Sequence, residues 1–141
     1  MNKFAHWMMT AASLVALNSQ AADGFNADDW KHKQKTLLNT TVEGVELKQG
    51  ATQLPLALRL HTGNFAFAEA KPDGSDLRVT AADGKTPLRL KIKKYDATNE
   101  LAVIWVQQPK LSPSAKTDAV TLLWGNEKAS AARDAKGSYD A

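Results

Sequence analysis

Leu54-Pro55-Leu56-Ala57-Leu58-Arg59-Leu60 places a leucine at every second residue. Side chains of an extended chain point alternately to opposite faces. The leucines therefore share one face and Pro55, Ala57 and Arg59 the other. Working outward, Leu88-Arg89-Leu90-Lys91-Ile92-Lys93 alternates as cleanly, apolar on one side and cationic on the other. Strands with one wet face are what an antiparallel sheet allows. Leu101-Ala102-Val103-Ile104-Trp105-Val106 is apolar at every position and reads as a central strand covered on both faces, with Trp105 as a core anchor. Ala119-Val120-Thr121-Leu122-Leu123-Trp124 reads as a further strand, closed by Gly125-Asn126. Weaker strand signals lie at Lys33 to Leu38, Val45 to Leu47, Phe65 to Phe67 and Leu77 to Thr80.

Turn chemistry separates these runs: Gly63-Asn64, Pro72-Asp73-Gly74, Asp83-Gly84, Asp96-Ala97-Thr98-Asn99 and Leu111-Ser112-Pro113-Ser114. Glycine supplies positive φ, proline presets φ, and Asp or Asn bonds back to its own backbone. Short strands at this spacing predict an all-β fold, an antiparallel two-layer β-sandwich of jelly-roll-like kind. Its expected core is Leu54, Leu56, Leu58, Leu60, Leu90, Ile92, Val103, Trp105, Val120 and Leu122. On that reading Trp105→Ala costs about 3–5 kcal/mol through the cavity it leaves. After residue 22 no helical period is visible until Glu127 to Ala135, an alanine-rich stretch that reads as a short helix or a linker.

The chain of 141 residues suits one domain, and its 43% hydrophobic content is that of a folded protein rather than a disordered tail. A formal net charge of +3 implies no nucleic-acid partner by itself. The absence of cysteine removes disulfides, thiolate metal sites and a cysteine nucleophile. Met1-Asn2-Lys3, the apolar stretch Phe4 to Leu17 and the small residues Ser19 and Ala21 form the layout of a secretory signal peptide. The 14-residue apolar stretch is too short to cross a bilayer, which takes about 20 residues, and the mature part has no apolar run of that length either. The expected organisation is a signal peptide at 1–21, a short lead at 22–29, the sandwich at 30–126 and a polar linker or tail at 127–141. The protein is then exported, to the periplasm or beyond. Cleavage after Ala21 leaves Ala22 as the first residue, an outcome that intact mass spectrometry of the exported protein reads directly; a mature chain starting at Met1 overturns it.

Candidate chemistry is sparse. His32 and His61 stand alone, without the clustered partners zinc requires. Pro72-Asp73-Gly74-Ser75-Asp76-Leu77-Arg78 is the most specific local pattern, with two carboxylates around a tight turn and a guanidinium just beyond. Such a loop can offer oxygens to Ca²⁺ or grip sugar hydroxyls, although Ca²⁺ wants six to eight oxygens and the full set of spaced acids is missing. The competing reading is a turn whose Asp76 accepts backbone N–H bonds. Asp73, Asp76 and Arg78, with Trp30 as an aromatic neighbour, are thus the candidate ligand-binding residues. No catalytic residue, metal ligand or cofactor is implied, Ca²⁺ at this loop being the one metal considered. A glycosidase pair drawn from Asp73, Asp76, Asp83, Asp96 and Glu100 is the enzymatic alternative, but all five sit in turn-like settings. Lys31, Lys33 and Lys35 share one strand face, as do Arg89, Lys91 and Lys93. With Trp30 and Tyr95 nearby they describe either a surface for an acidic polymer or two solvated faces. Like charges directly across a ladder destabilise, so the two strands are not neighbours unless the patch is functional.

Taken in order, several segments carry a resemblance. They are Trp30-Lys31-His32-Lys33, Leu54 to Leu60, Asp73-Gly74-Ser75-Asp76-Leu77-Arg78, Ala82-Asp83-Gly84-Lys85-Thr86-Pro87-Leu88, Tyr95-Asp96, Leu101 to Val106, and Leu123-Trp124-Gly125-Asn126. Together they resemble a bacterial domain of unknown function found N-terminal to a LamG (concanavalin-like) domain in proton-channel, biopolymer-transport proteins of the MotA/TolQ/ExbB class. Lysines and His32 stand where that family often has Tyr-Arg, and Trp124 where it often has Tyr. The resemblance implies the fold, an extracytoplasmic location and LamG-like and channel domains downstream; together with the sandwich pattern and the exposed polar loops it leads to the expectation of a non-catalytic binding or scaffold module with a glycan or envelope polymer as its partner. It also implies that the chain is the N-terminal piece, or a truncated relative, of such a longer protein. A secreted carbohydrate hydrolase and a purely structural spacer are the other two readings.

Overall fold

The computed structural model describes residues 24–132; the signal-peptide segment and the end of the tail lie outside the described residues. Six strands form in chain order: β1 (His32–Leu38), β2 (Ala51–His61), β3 (Arg78–Thr80), β4 (Leu90–Asp96), β5 (Leu101–Leu111) and β6 (Asp118–Trp124). They make two three-stranded antiparallel sheets, β1-β6-β3 (sheet A) and β2-β5-β4 (sheet B). Every connection except the β4–β5 hairpin passes from one sheet to the other, which gives an all-β sandwich. Helical structure among the described residues is confined to 3-10 turns at Ala27–Asp29 and Phe67–Glu69. Residues 65–67 form no strand, Phe67 opening the second 3-10 turn, and Val45 to Leu47 lies in the β1–β2 loop.

The leucine row of β2 packs inward as its alternation requires. Leu60 is buried, and Leu56 and Leu58 pack against a core of Phe65, Phe67, Leu77, Val79, Leu90, Ala102, Ile104, Val106, Val120, Leu122 and Trp124, with Ile92 beside it. Leu54, expected in this core, is only half-buried near the end of the sheet. Pro55 lacks an N–H and is tolerated because β2 is an edge strand. The β2–β5 register decides which side of β5 faces in. Leu56 pairs with Val106 and Leu58 with Ile104, so Ala102, Ile104 and Val106 join the leucines. Val103 and Trp105 then point away from the core and are half-buried, and Leu101 is 48% exposed. Trp105 is thus no core anchor, and β5 is covered on one face.

The strand covered on both faces is β6, whose residues Ala119 to Trp124 are all buried. Val120, Leu122 and Trp124 enter the main core. Leu123 faces the other way, into a second small cluster with Ala27, Trp30 and Ala129. Segments on either side of the sandwich supply that cover. Residues 127–132 contain no helix; they run back along sheet A and the β4 edge. Lys71 Nζ donates to the Ala129 carbonyl at 2.6 Å and Arg78 to the Ser130 carbonyl at 2.5 Å.

Ile104 is fully buried. Ile104→Ala is expected to cost about 3–4 kcal/mol. Trp105→Ala should cost clearly less than the about 3–5 kcal/mol of a buried tryptophan. Urea unfolding of the two variants compares them, and an equal or larger loss for Trp105→Ala would contradict the register.

Candidate functional site

The loop from Lys71 to Arg78 joins the 3-10 turn of residues 67–69 to β3, and the structure brings all four candidate ligand residues to it. Asp76 is 1% exposed. Its Oδ1 accepts the Lys71 backbone N–H at 3.0 Å and its Oδ2 accepts that of Gly125 at 2.8 Å. Its carbonyl accepts the indole N–H of Trp30 at 2.6 Å. A buried carboxylate requires such partners, because desolvation otherwise disfavours the charge. Trp30 is itself buried, against Phe25 at 5.2 Å between ring centroids. The Arg78 guanidinium lies 5.5 Å from the centre of the Trp30 ring. It also donates to the Ser75 and Leu77 carbonyls at 3.0 and 2.7 Å. Burial lowers the pKa of Arg78, and the nearby Asp76 charge opposes that shift.

Asp73 is the exposed member of the group. Its Oδ1 accepts the Ser75 N–H at 3.0 Å, and that bond holds the carboxyl below its ordinary pKa. Asp83 closes its turn by accepting from Thr86 and Lys85, and Asp96 by accepting from Asn99. Bonds from Thr86 and from Asn99 likewise lower the pKa of these two. A carboxyl with a depressed folded pKa stabilises the fold above its unfolded value, here 3.8, and that contribution is lost as pH falls through the folded value. Each turn aspartate therefore serves its own loop. Among the described residues no group of three or more His, Cys, Asp or Glu converges in a way that could hold a metal ion.

Two glycines complete the loop's surroundings. Gly125 adopts φ +85°, and a Cβ there would lie 2.7 Å from the His32 ring. Gly74 adopts φ +70°, and a Cβ would lie 2.8 Å from the Tyr95 ring. Burial raises the Tyr95 hydroxyl to about 12, with the Asp76 and Asp73 charges adding to the shift. A depression of about 430 Å³ beside the loop is lined by Lys31, His32, Glu69, Lys71, Asp76 and Gly125 among others. The polar atoms that Asp76 could offer to it are already bonded.

The outer face of sheet B differs in kind. Its cross-strand rows run Ala57–Trp105–Lys91, Arg59–Val103–Lys94 and His61–Leu101–Asp96, and the Gln107 N–H bonds to the Arg89 carbonyl beyond Pro55. A bulge in β4 between Ile92 and Lys94 adds Lys93 as an extra residue in this row. Both lysines are exposed, beside Val103. Arg59 and Arg89 are exposed, and Lys91 and Trp105 half-buried. None of Arg59, Arg89, Lys91, Lys93 and Lys94 forms an ion pair among the described residues. Two of the three lysines at the β1 edge contrast, Lys33 pairing with Asp28 at 2.7 Å and Lys31 with Glu127 at 3.7 Å, while Lys35 forms no ion pair among the described residues. The two cationic strands of the sequence lie in different sheets, so their charges do not oppose one another across a ladder. Sequence reasoning found Arg89, Lys91 and Lys93 but missed Trp105, Arg59 and Lys94, which only the β2–β5–β4 register unites.

Residues 73–141, just under half of the chain, match the model of a family described as a domain of unknown function, DUF2341. The matched span carries Asp73, Asp76, Arg78 and strands β3 to β6, and leaves out Trp30 with β1 and β2. No curated protein and no solved structure matches the chain.

Asp76→Asn keeps the size of the side chain but sets an NH₂ group against one of two backbone N–H donors. It is expected to cost about 2–4 kcal/mol. It should also bring the Tyr95 phenol below about 12, short of its ordinary value, because burial remains the larger cause. Chemical denaturation and ultraviolet titration of the phenol read the two effects; an unchanged stability would show that the carboxylate does not tie the loop together.

Proposed function

We propose that this domain is a non-catalytic binding or scaffold module that works outside the cytoplasm, with a carbohydrate or envelope polymer as its partner. One observation carries the reading. Asp73, Asp76, Asp83 and Asp96 are engaged in closing turns, while the outer face of sheet B presents a tryptophan among cations that form no ion pair among the described residues, with Asp96 at the far end of the face beside Lys94. Glycosidase chemistry needs two carboxyl groups facing one another across a sugar, about 5–9 Å apart, with one of them raised in pKa. Asp73, Asp83 and Asp96 are all lowered instead, and each is bonded to its own turn. An open sheet face suits an extended polymer better than a small molecule, which favours an enclosing pocket. The resemblance noted in the sequence supplies the setting: the N-terminal periplasmic part of an ExbB/TolQ-type biopolymer-transport protein, acting as a sensor or docking element ahead of LamG-like and channel domains.

A glycan array run beside a glycosidase activity screen on the full chain tests the reading. Glycan binding without turnover is the expected result. Turnover abolished by a single substitution among Asp73, Asp76, Asp83, Asp96 and Glu100 would replace it with the hydrolase.

A further inference from the structure

Resting on the binding-module reading, we infer that the outer face of sheet B is the ligand surface and that its ligand is a carboxylated polysaccharide. Three features of the face converge. The first is shape. With strands about 4.8 Å apart and alternate residues about 6.7 Å apart, the cationic patch from Arg89 to Lys94 and across to Arg59 measures about 13 by 10 Å. It lies open along β5 and so admits a chain running past in either direction.

The second is the aromatic platform. Trp105 sits at the middle of the central strand, flanked by Ala57 on one side and Lys91 on the other. Alanine is too short to cover an indole, so the ring is left accessible from the β2 side. An indole face bounded by polar groups packs against the apolar C–H face of a sugar ring, where a phosphate chain offers nothing comparable.

The third is charge. The five basic side chains on this face form no ion pair among the described residues; the Asp96 carboxylate, bonded to its own turn at the far end of the face, offsets only the neighbouring Lys94, and the mutual repulsion of the rest is a cost to the fold. The β-bulge increases that cost by adding Lys93 beside Lys94. Bulges re-aim side chains, and one that doubles the local positive charge has a physical rationale when an anion completes the field. Lysine stems also cover apolar surface while their ammonium groups stay free, which lets Lys91 both border Trp105 and reach a carboxylate.

The experiment is affinity electrophoresis of the purified full chain in gels containing polygalacturonate, dextran or polyphosphate, at low and at raised salt. Polygalacturonate should retard the protein and dextran should not, and raised salt should weaken the retardation because the contacts are solvent-exposed. Lys91→Glu/Lys94→Glu, at positions that do not enter the core, should weaken polygalacturonate binding about tenfold or more with little change in melting temperature. Trp105→Ala should do the same for polygalacturonate and leave any polyphosphate retention unaltered. If Trp105→Ala fails to fold, the lysine pair alone decides. Lys31→Glu/Lys33→Glu on the β1 edge should have no effect. Retardation by dextran alone would overturn the carboxylate assignment and leave a binding module. Equal retention by polyphosphate and polygalacturonate, with the polygalacturonate retention also insensitive to Trp105→Ala, would overturn the inference in favour of unspecific charge. No retention on any polymer, together with an unreactive glycan array, would remove both readings.

Discussion

The buried carboxylate of Asp76 is the constraint around which the rest is arranged. One side chain binds the backbone of Lys71 at the start of its loop and that of Gly125 at the end of β6, and its own carbonyl binds Trp30 ahead of β1. Three stretches far apart in sequence are thereby fixed to one point. Leaving any of those donors unpaired in the interior would cost about 1–3 kcal/mol, so the arrangement tolerates few alternatives. Gly125 donates that bond with its backbone in the left-handed region and the His32 ring against it, a position that leaves no room for a side chain. With Trp30 so held, Leu123 acquires a neighbour on the outer side of sheet A, and β6 becomes the doubly covered strand.

That dependence explains how much of the molecule was legible in the sequence. The leucine alternation of residues 54–60 states a strand, its wet side and, through Pro55, its edge position. It cannot say which parity of an entirely apolar run faces inward. In residues 101–106 both parities are hydrophobic, and the largest side chain, Trp105, belongs to the outer one. Only the pairing of Leu56 with Val106 and Leu58 with Ile104 settles the matter. Long-range register is not a local property, so composition pointed to the wrong tryptophan as the anchor. Trp30 presents the mirror case. In a polar context after a run of aspartates it reads as a surface aromatic, and it is buried because Asp76, forty-six residues away, offers an acceptor.

The loop of residues 71–78 was legible as chemistry and ambiguous as purpose. Its aspartates and arginine lie in one loop, yet each bonds to the backbone of other residues: Asp73 to Ser75, Asp76 to Lys71 and Gly125, and Arg78 to Ser75, Leu77 and Ser130. Turn-forming propensity and ligand-binding propensity draw on the same property of Asp, a short side chain with two acceptors. What separates them is whether those acceptors remain free once the chain has folded, and here the folded geometry engages them. The cations pose the converse problem. Lys31, Lys33, Arg89, Lys91 and Lys93 look alike in sequence, and the structure divides them by whether an acid lies within reach.

The two sheets consequently present opposite kinds of outer surface. Sheet A is covered by the chain's own segments, Phe25 to Trp30 on one side of the sandwich sequence and residues 125–132 on the other, and its charges are partly paired. Sheet B keeps its outer face polar, cationic and open along β5. A symmetric sandwich would gain by neutralising both faces equally, because unpaired like charges work against the compact state. The asymmetry is also not needed to protect sheet B from edge-to-edge association. Pro55 and the left-handed Gln53 already interrupt β2, and the bulge interrupts β4. Edge protection is one use of the bulge and of the lysines near it. It does not account for Arg59 on the other edge, or for a tryptophan at the centre of the sheet with alanine rather than a larger residue beside it. Those three positions, brought together only by the register, are the part of the proposed ligand surface that edge protection leaves unexplained.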